Sequence, residues 1–190
     1  HFEHGYALLS GVDANAVLKW ALPDVAKDVT ALHEVLVHPE RCAYPAENVK
    51  VLTGESATRQ GILAGLEWLG EQIQKDPQAT AVIYYTGHGW RDTTKTPPDF
   101  YFIPYDVKET GLQVRTLRAT DFAAEIAGLQ PQRLLVILDC CHAAGMSVKG
   151  PGMQDLPSGY VSAALPPEMF MKGKPGMKGL EALAQGHGRA

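Results

Sequence analysis

Cysteine is scarce in this chain: three residues in 190, two of them adjacent. Cys42, Cys140 and Cys141 make a poor disulfide framework, so a reducing, cytoplasmic setting is expected. They also lack the spacing of a zinc knuckle, because neighbouring cysteines suit neither a CxxC pair nor a His-rich site. Long apolar runs are missing too. The longest, Ala79–Tyr85 and Leu134–Leu138, have the length of strands and are far too short to cross a bilayer. No Lys/Arg block interrupts a net charge of -4, which argues against nucleic-acid binding. No leader pattern is visible; the chain opens at His1 rather than Met, so a leader or tag is expected to be gone already. There are no internal repeats.

What remains is a chain 45% hydrophobic and 20% charged, as expected of one globular domain with a tail. Continuous apolar strands are predicted at Tyr6–Val12, Val49–Thr53, Ala79–Thr86 and Arg133–Asp139. Between them fall helical patterns. Asp24 to Val37 places Val25, Val29, Leu32 and Leu36 on one face, and Pro39 ends it. Gln60 to Lys75 places Ile62, Leu66, Leu69 and Ile73 on one face, after a turn at Gly54–Thr58 with candidate N-caps. A third helix should be capped by Thr120-Asp121 and closed by Gly128. Arg91–Pro98 reads as a loop, and Phe100–Pro104 as a short hairpin arm. Strands alternating with helices predict an α/β sandwich: a largely parallel sheet with helices on both faces. Domain limits are expected at 1–145, followed by a Gly-, Pro-, Met- and Lys-rich tail or linker over 146–190.

Two segments carry chemistry. Tyr84-Tyr85-Thr86-Gly87-His88-Gly89 ends one predicted strand, and Asp139-Cys140-Cys141-His142 ends another. In a parallel sheet, sites form beyond the carboxyl ends of the strands. A histidine and a cysteine at two such ends suit a cysteine-nucleophile hydrolase. The N–H groups of Gly89 and Cys141 are candidates for an oxyanion hole. Side chains alternate along a strand, so one of Cys140 and Cys141 should face the core and the other the site. His142 adjoins Cys141, but adjacent side chains usually diverge, so it is local support rather than the base. A cysteine roughly 50 residues after a histidine is also the caspase spacing, although caspases carry Gln-Ala-Cys where Asp-Cys-Cys-His stands here.

The pair Tyr-Tyr-Thr-Gly-His-Gly and Asp-Cys-Cys-His-Ala-Ala-Gly resembles the large-subunit (p20) domain of metacaspases and their bacterial relatives, the orthocaspases. Tyr6–Gly11 resembles the first strand of that family, and Leu22–Leu32 its first helix; the resemblance runs from about Tyr6 to Gly145. It implies a caspase-like three-layer sandwich. It makes Cys141 the nucleophile and His88 the general base of an Arg- or Lys-directed cysteine endopeptidase acting through a thioester. Asp28 and Asp139 match the acidic positions of the S1 pocket, where two carboxylates favour a cationic side chain and repel Asp. The family also self-cleaves after basic residues, which makes Lys172, Lys174, Lys178 and Arg189 candidate sites in the tail.

Calcium activates many metacaspases, and Asp99 and Asp121 lie in the corresponding stretches. Thr120 and Val148 stand where further carboxylates are common, so any calcium site should be weak and the chemistry itself requires no cofactor. Expected partners are protein or peptide substrates and a small (p10) subunit, of which no strand is recognisable after Asp139. The competing expectation is a catalytically silent caspase-fold interaction module, or an inactive fragment that needs a separate p10 chain.

Overall fold

A computed structural model describes residues 2–14, 21–92, 96–107, 115–140 and 161–162. Five strands form its main sheet: β1 (Gly5–Gly11), β2 (Val49–Thr53), β3 (Thr80–Gly87), β7 (Arg133–Cys140) and the two-residue β8 (Val161–Ser162). This sheet is parallel throughout, with strand order β2-β1-β3-β7-β8. Helices α1 (Val25–Val37), α2 (Arg59–Lys75) and α3 (Ala119–Ala127) connect its strands. A second, antiparallel sheet stands between β3 and α3, formed by β4 (Gly89–Asp92), β5 (Asp99–Phe102) and β6 (Leu117–Arg118).

The strand order explains the layers. The chain steps one way from β1 to β2 and the other way from β2 to β3 and on to β7. Right-handed crossovers then put α1 on one face and α2 and α3 on the other. Packing agrees. Val29, Leu32 and Leu36 of α1 meet Ala7, Leu9, Val82, Tyr84 and Ile137. Ile62, Leu66 and Leu69 of α2 and Phe122 and Ile126 of α3 meet Leu8, Ile83, Tyr85, Val136 and Leu138. Each fully buried aliphatic side chain contributes about 1.5–3 kcal/mol, so these two clusters hold the sandwich together. The expected three-layer α/β fold is therefore present.

The predicted elements match within a residue or two wherever an apolar stripe is long. Thr58 caps α2, its hydroxyl accepting the N–H of Gly61 at 2.9 Å. Four local expectations fail. Arg91 and Asp92 belong to β4 rather than to a loop. The hairpin arm is Asp99–Phe102 rather than Phe100–Pro104. The third helix begins at Ala119 with Arg118 in the cap position and no side-chain cap bond, so Thr120 and Asp121 lie in its first turn. Finally, a strand does follow Asp139: β8 pairs with β7 through Ile137–Val161 and Leu138–Ser162. Among the described residues, no helix is long and apolar enough to cross a membrane.

α2 approaches β1 through Gly65, where an added Cβ would lie 2.7 Å from Leu8 Cδ1. Helix propensity alone would favour Gly65→Ala by about 1 kcal/mol. Overpacking against a fully buried leucine costs about 1–3 kcal/mol and should win. Gly65→Ala is expected to lower the urea midpoint of unfolding; a rise would show that the layers can slide apart at no cost.

Candidate active site

Three strands end flush on one side of the sheet. Gly11 of β1 pairs with Thr86 of β3, and Thr86 pairs with Asp139 of β7. Both sequence segments of interest leave the sheet there.

His88 follows β3 directly and is half-buried. Gly87 has a φ of +154°, which L side chains rarely adopt, and a Cβ there would lie 3.1 Å from Val12 Cβ and 3.2 Å from the Tyr85 hydroxyl oxygen. Glycine at 87 thus lets the chain turn beneath the histidine. The backbone carbonyl of His88 accepts the N–H of Ile103 at 3.1 Å and the hydroxyl of Tyr85 at 3.1 Å. The Tyr85 hydroxyl also lies 3.3 Å from the Ile103 carbonyl. Its ring packs edge-on against Phe102, which packs edge-on against Phe122. A chain of buried aromatics therefore ties the backbone of His88 to the core.

Gly89 opens β4 opposite Phe102. His88 and Ile103 form the preceding, hydrogen-bonded pair, and such pairs alternate along an antiparallel ladder. The Gly89 N–H therefore points away from β5, as an oxyanion donor must.

At the end of β7, Cys140 is 6% exposed and belongs to the cluster under α2 and α3. It is the core-facing cysteine of the pair. Cys141 and His142 lie outside the described residues, as do Val148, Lys172, Lys174, Lys178 and Arg189.

Asp139 faces the other side, towards α1, and is 9% exposed. Its Oδ2 accepts the hydroxyl of Thr86, itself fully buried, at 3.2 Å. Two residues back along the same face of β3 lies Tyr84, 1% exposed. Burial first, then the charge of Asp139, and more weakly that of Asp28, push its phenol far above the ordinary tyrosine range. Asp28 is half-buried on α1, where its neighbours Val25 and Val29 pack onto the sheet. The Thr86 hydroxyl beside Tyr84 is turned to Asp139, and the Tyr84 hydroxyl has no hydrogen-bond partner of sound geometry among the described residues. A buried hydroxyl left this way costs about 1–3 kcal/mol. Tyr84, Thr86 and Tyr85 were not singled out from sequence, although strand alternation would have grouped Tyr84 and Thr86 together.

Asp99 and Asp121 are arranged differently. Arg118 holds both oxygens of Asp99 at 3.1 Å, and the Tyr101 hydroxyl donates to the same carboxylate at 3.2 Å. The hydrogen bond to Asp99 and its charge, with a smaller contribution from Asp121, raise the Arg118 pKa. A calcium ion recruited here would have to displace that guanidinium. Among the described residues, no three His, Cys, Asp or Glu side chains group as a metal site.

The caspase domain, as a family model, matches residues 4–181. The chain belongs to the caspase-domain family. This membership brings cysteine-type peptidase chemistry on protein substrates, and the match extends past Gly145 into the stretch read as a tail. A search of curated proteins returned no match.

Tyr85→Phe removes the hydroxyl beneath His88 and leaves the Ile103 carbonyl short of a donor. It should cost about 1–3 kcal/mol of stability in urea unfolding. Gly87→Ala should cost at least as much, through its φ and the close Val12. A fully stable Gly87→Ala variant would mean that the turn below His88 is not fixed.

Proposed function

We propose that this caspase-domain chain is a cysteine endopeptidase of the metacaspase–orthocaspase type, cleaving after Arg or Lys. The observation that carries this reading is the parallel register of β3 and β7, which sets the strand end leading into His88 beside the one that bears Asp139 and leads into Cys141. Asp28, half-buried on α1, and Asp139, on the face of the sheet that α1 covers, supply two carboxylates that favour a cationic side chain and repel an acidic one.

The proposed chemistry uses a dyad. His88 takes the proton of the Cys141 thiol. The thiolate sulfur bonds to the scissile carbonyl carbon, and the oxyanion is held by the Gly89 and Cys141 N–H groups. The carbon–nitrogen bond then breaks, and His88 gives its proton to the departing amine. Water, deprotonated by His88, attacks the thioester, and the thiol leaves with the proton returned. The burial of Cys140 in the core supports Cys141 as nucleophile, because side chains alternate along a strand. Self-cleavage after Lys172, Lys174, Lys178 or Arg189, association with a p10 subunit and weak activation by calcium at Asp99 and Asp121 belong to the same proposal.

Labelling with an Arg chloromethyl ketone, read by peptide mass spectrometry, tests the assignment. Modification is expected on Cys141 alone. Labelling of Cys140, or of no cysteine under any condition, would overturn it, the latter in favour of a silent interaction module. His88→Ala should lower turnover of an Arg-amide substrate by about 10²–10⁴-fold, and Cys141→Ala, which cannot form the thioester, should abolish it.

Asp28→Asn and Asp139→Asn should each reduce kcat/KM for Arg substrates roughly tenfold to a hundredfold, the worth of a hydrogen bond to a charged group. Tyr84→Phe separates two roles for the hydroxyl. If it serves the substrate cation, kcat/KM falls several-fold while unfolding stability rises, because an unpaired buried polar group has gone. An unchanged kcat/KM would remove Tyr84 from the pocket.

A further inference from the structure

The edge of the small sheet beside His88 has a fixed hydrogen-bonding phase, and its meaning rests on the peptidase reading. His88 and Ile103 are a bonded pair, with the Ile103 N–H on the His88 carbonyl at 3.1 Å. By alternation Gly89–Phe102 is unbonded, Trp90–Tyr101 is bonded and Arg91–Phe100 is unbonded. The backbone N–H and C=O groups of Gly89 and Arg91 therefore point away from β5. Among the described residues no strand pairs with β4 on that side, since the sheet order is β4-β5-β6. The four residues of β4, Gly-Trp-Arg-Asp, contain no proline to blunt the edge.

The direction of the reaction supplies an occupant. His88 must protonate the departing amine, so the first residue on the leaving side of the scissile bond begins at His88. A substrate chain continuing from there runs along the outer edge of Gly89–Asp92, the strand that His88 leads into. Side chains frame that edge on its two faces. Trp90 stacks on Tyr101 with ring centroids 5.2 Å apart, and the Arg91 guanidinium lies 5.8 Å over Phe100.

We infer that the edge of β4 facing away from β5 is a binding site for the leaving-side segment of the substrate, which adds to the sheet as a strand. The Gly89 N–H is kept for the oxyanion. The Gly89 carbonyl and the N–H and carbonyl of Arg91 bind the substrate main chain. The ligand is thus an extended polypeptide with several residues beyond the scissile bond and no proline among those that pair. Because main-chain groups carry the binding, the edge tolerates varied side chains.

The test uses the full chain and peptides sharing one Arg-ended acyl side. The leaving side is a chromogenic amine alone, or one to four residues, with each leaving-side amide N-methylated in turn. Extension should raise kcat/KM roughly tenfold, the worth of one or two main-chain hydrogen bonds. N-methylation should remove that gain at alternate positions only, as strand pairing requires. No gain from extension, or an equal loss at every position, would overturn the inference. Arg91→Pro deletes the outward N–H without touching the β5 ladder and should abolish the gain; a gain that survives it counts against the assigned edge. Failure to cleave even the chromogenic Arg amide is a separate result, which would defeat the peptidase reading itself.

Discussion

Parallel pairing of β3 with β7 is the constraint on which the rest of this structure depends. It sets Thr86 beside Asp139 and Gly87 beside Cys140, and so brings distant stretches of chain to one place. The hydrogen bond from Thr86 to Asp139 marks that register on the α1 face, and the burial of Cys140 marks it on the other. Everything at the site is then a matter of what leaves these two strand ends. β3 delivers a histidine through a glycine in a conformation that other residues avoid. β7 delivers one acid to the α1 face and one thiol to the core.

The two faces of the sheet divide the labour. Under α2 and α3, the Tyr85 hydroxyl and the aromatic series Tyr85–Phe102–Phe122 anchor the backbone of His88. Under α1, Thr86 donates to Asp139, and the buried Tyr84 lies two residues back on the same face. Neighbouring tyrosines thus serve different ends because a strand turns alternate side chains to opposite faces. One supports the position of the histidine, and the other packs beneath α1 with Val29 and Leu32.

Much of this was legible in the sequence where hydrophobic pattern is strong. Val25, Val29, Leu32 and Leu36 announced α1, and the continuous runs in β3 and β7 announced buried parallel strands. The small sheet was not legible. β4 and β6 are four and two residues long and carry glycine, arginine and aspartate, so their apolar content says nothing. Their existence depends on pairing with β5 and on Phe102 and Leu117 reaching the core. The cap of α3 misled for a similar reason: Thr120 and Asp121 are good capping residues, but β6 runs directly into the helix at Ala119. β8 escaped notice because two residues show no period. At the site, His88, Asp28 and Asp139 were visible as residue types at strand ends or near a helix stripe. The Thr86–Asp139 hydrogen bond was hidden, because it arises only when β3 and β7 pair in this register.

The burial of Cys140 has a consequence for how the length of β7 can change over evolution. Two cysteines in succession look redundant, as though a missing residue could be made good by its neighbour. They are not interchangeable. Deleting one residue within Leu134–Leu138 would turn every side chain that follows it to the opposite face. The carboxylate of Asp139 would turn into the cluster that holds Phe122 and Ile126, and the Cys140 thiol would turn towards α1. A single-codon deletion there would damage both faces of the sheet together, so this stretch should accept substitutions far more readily than changes in length.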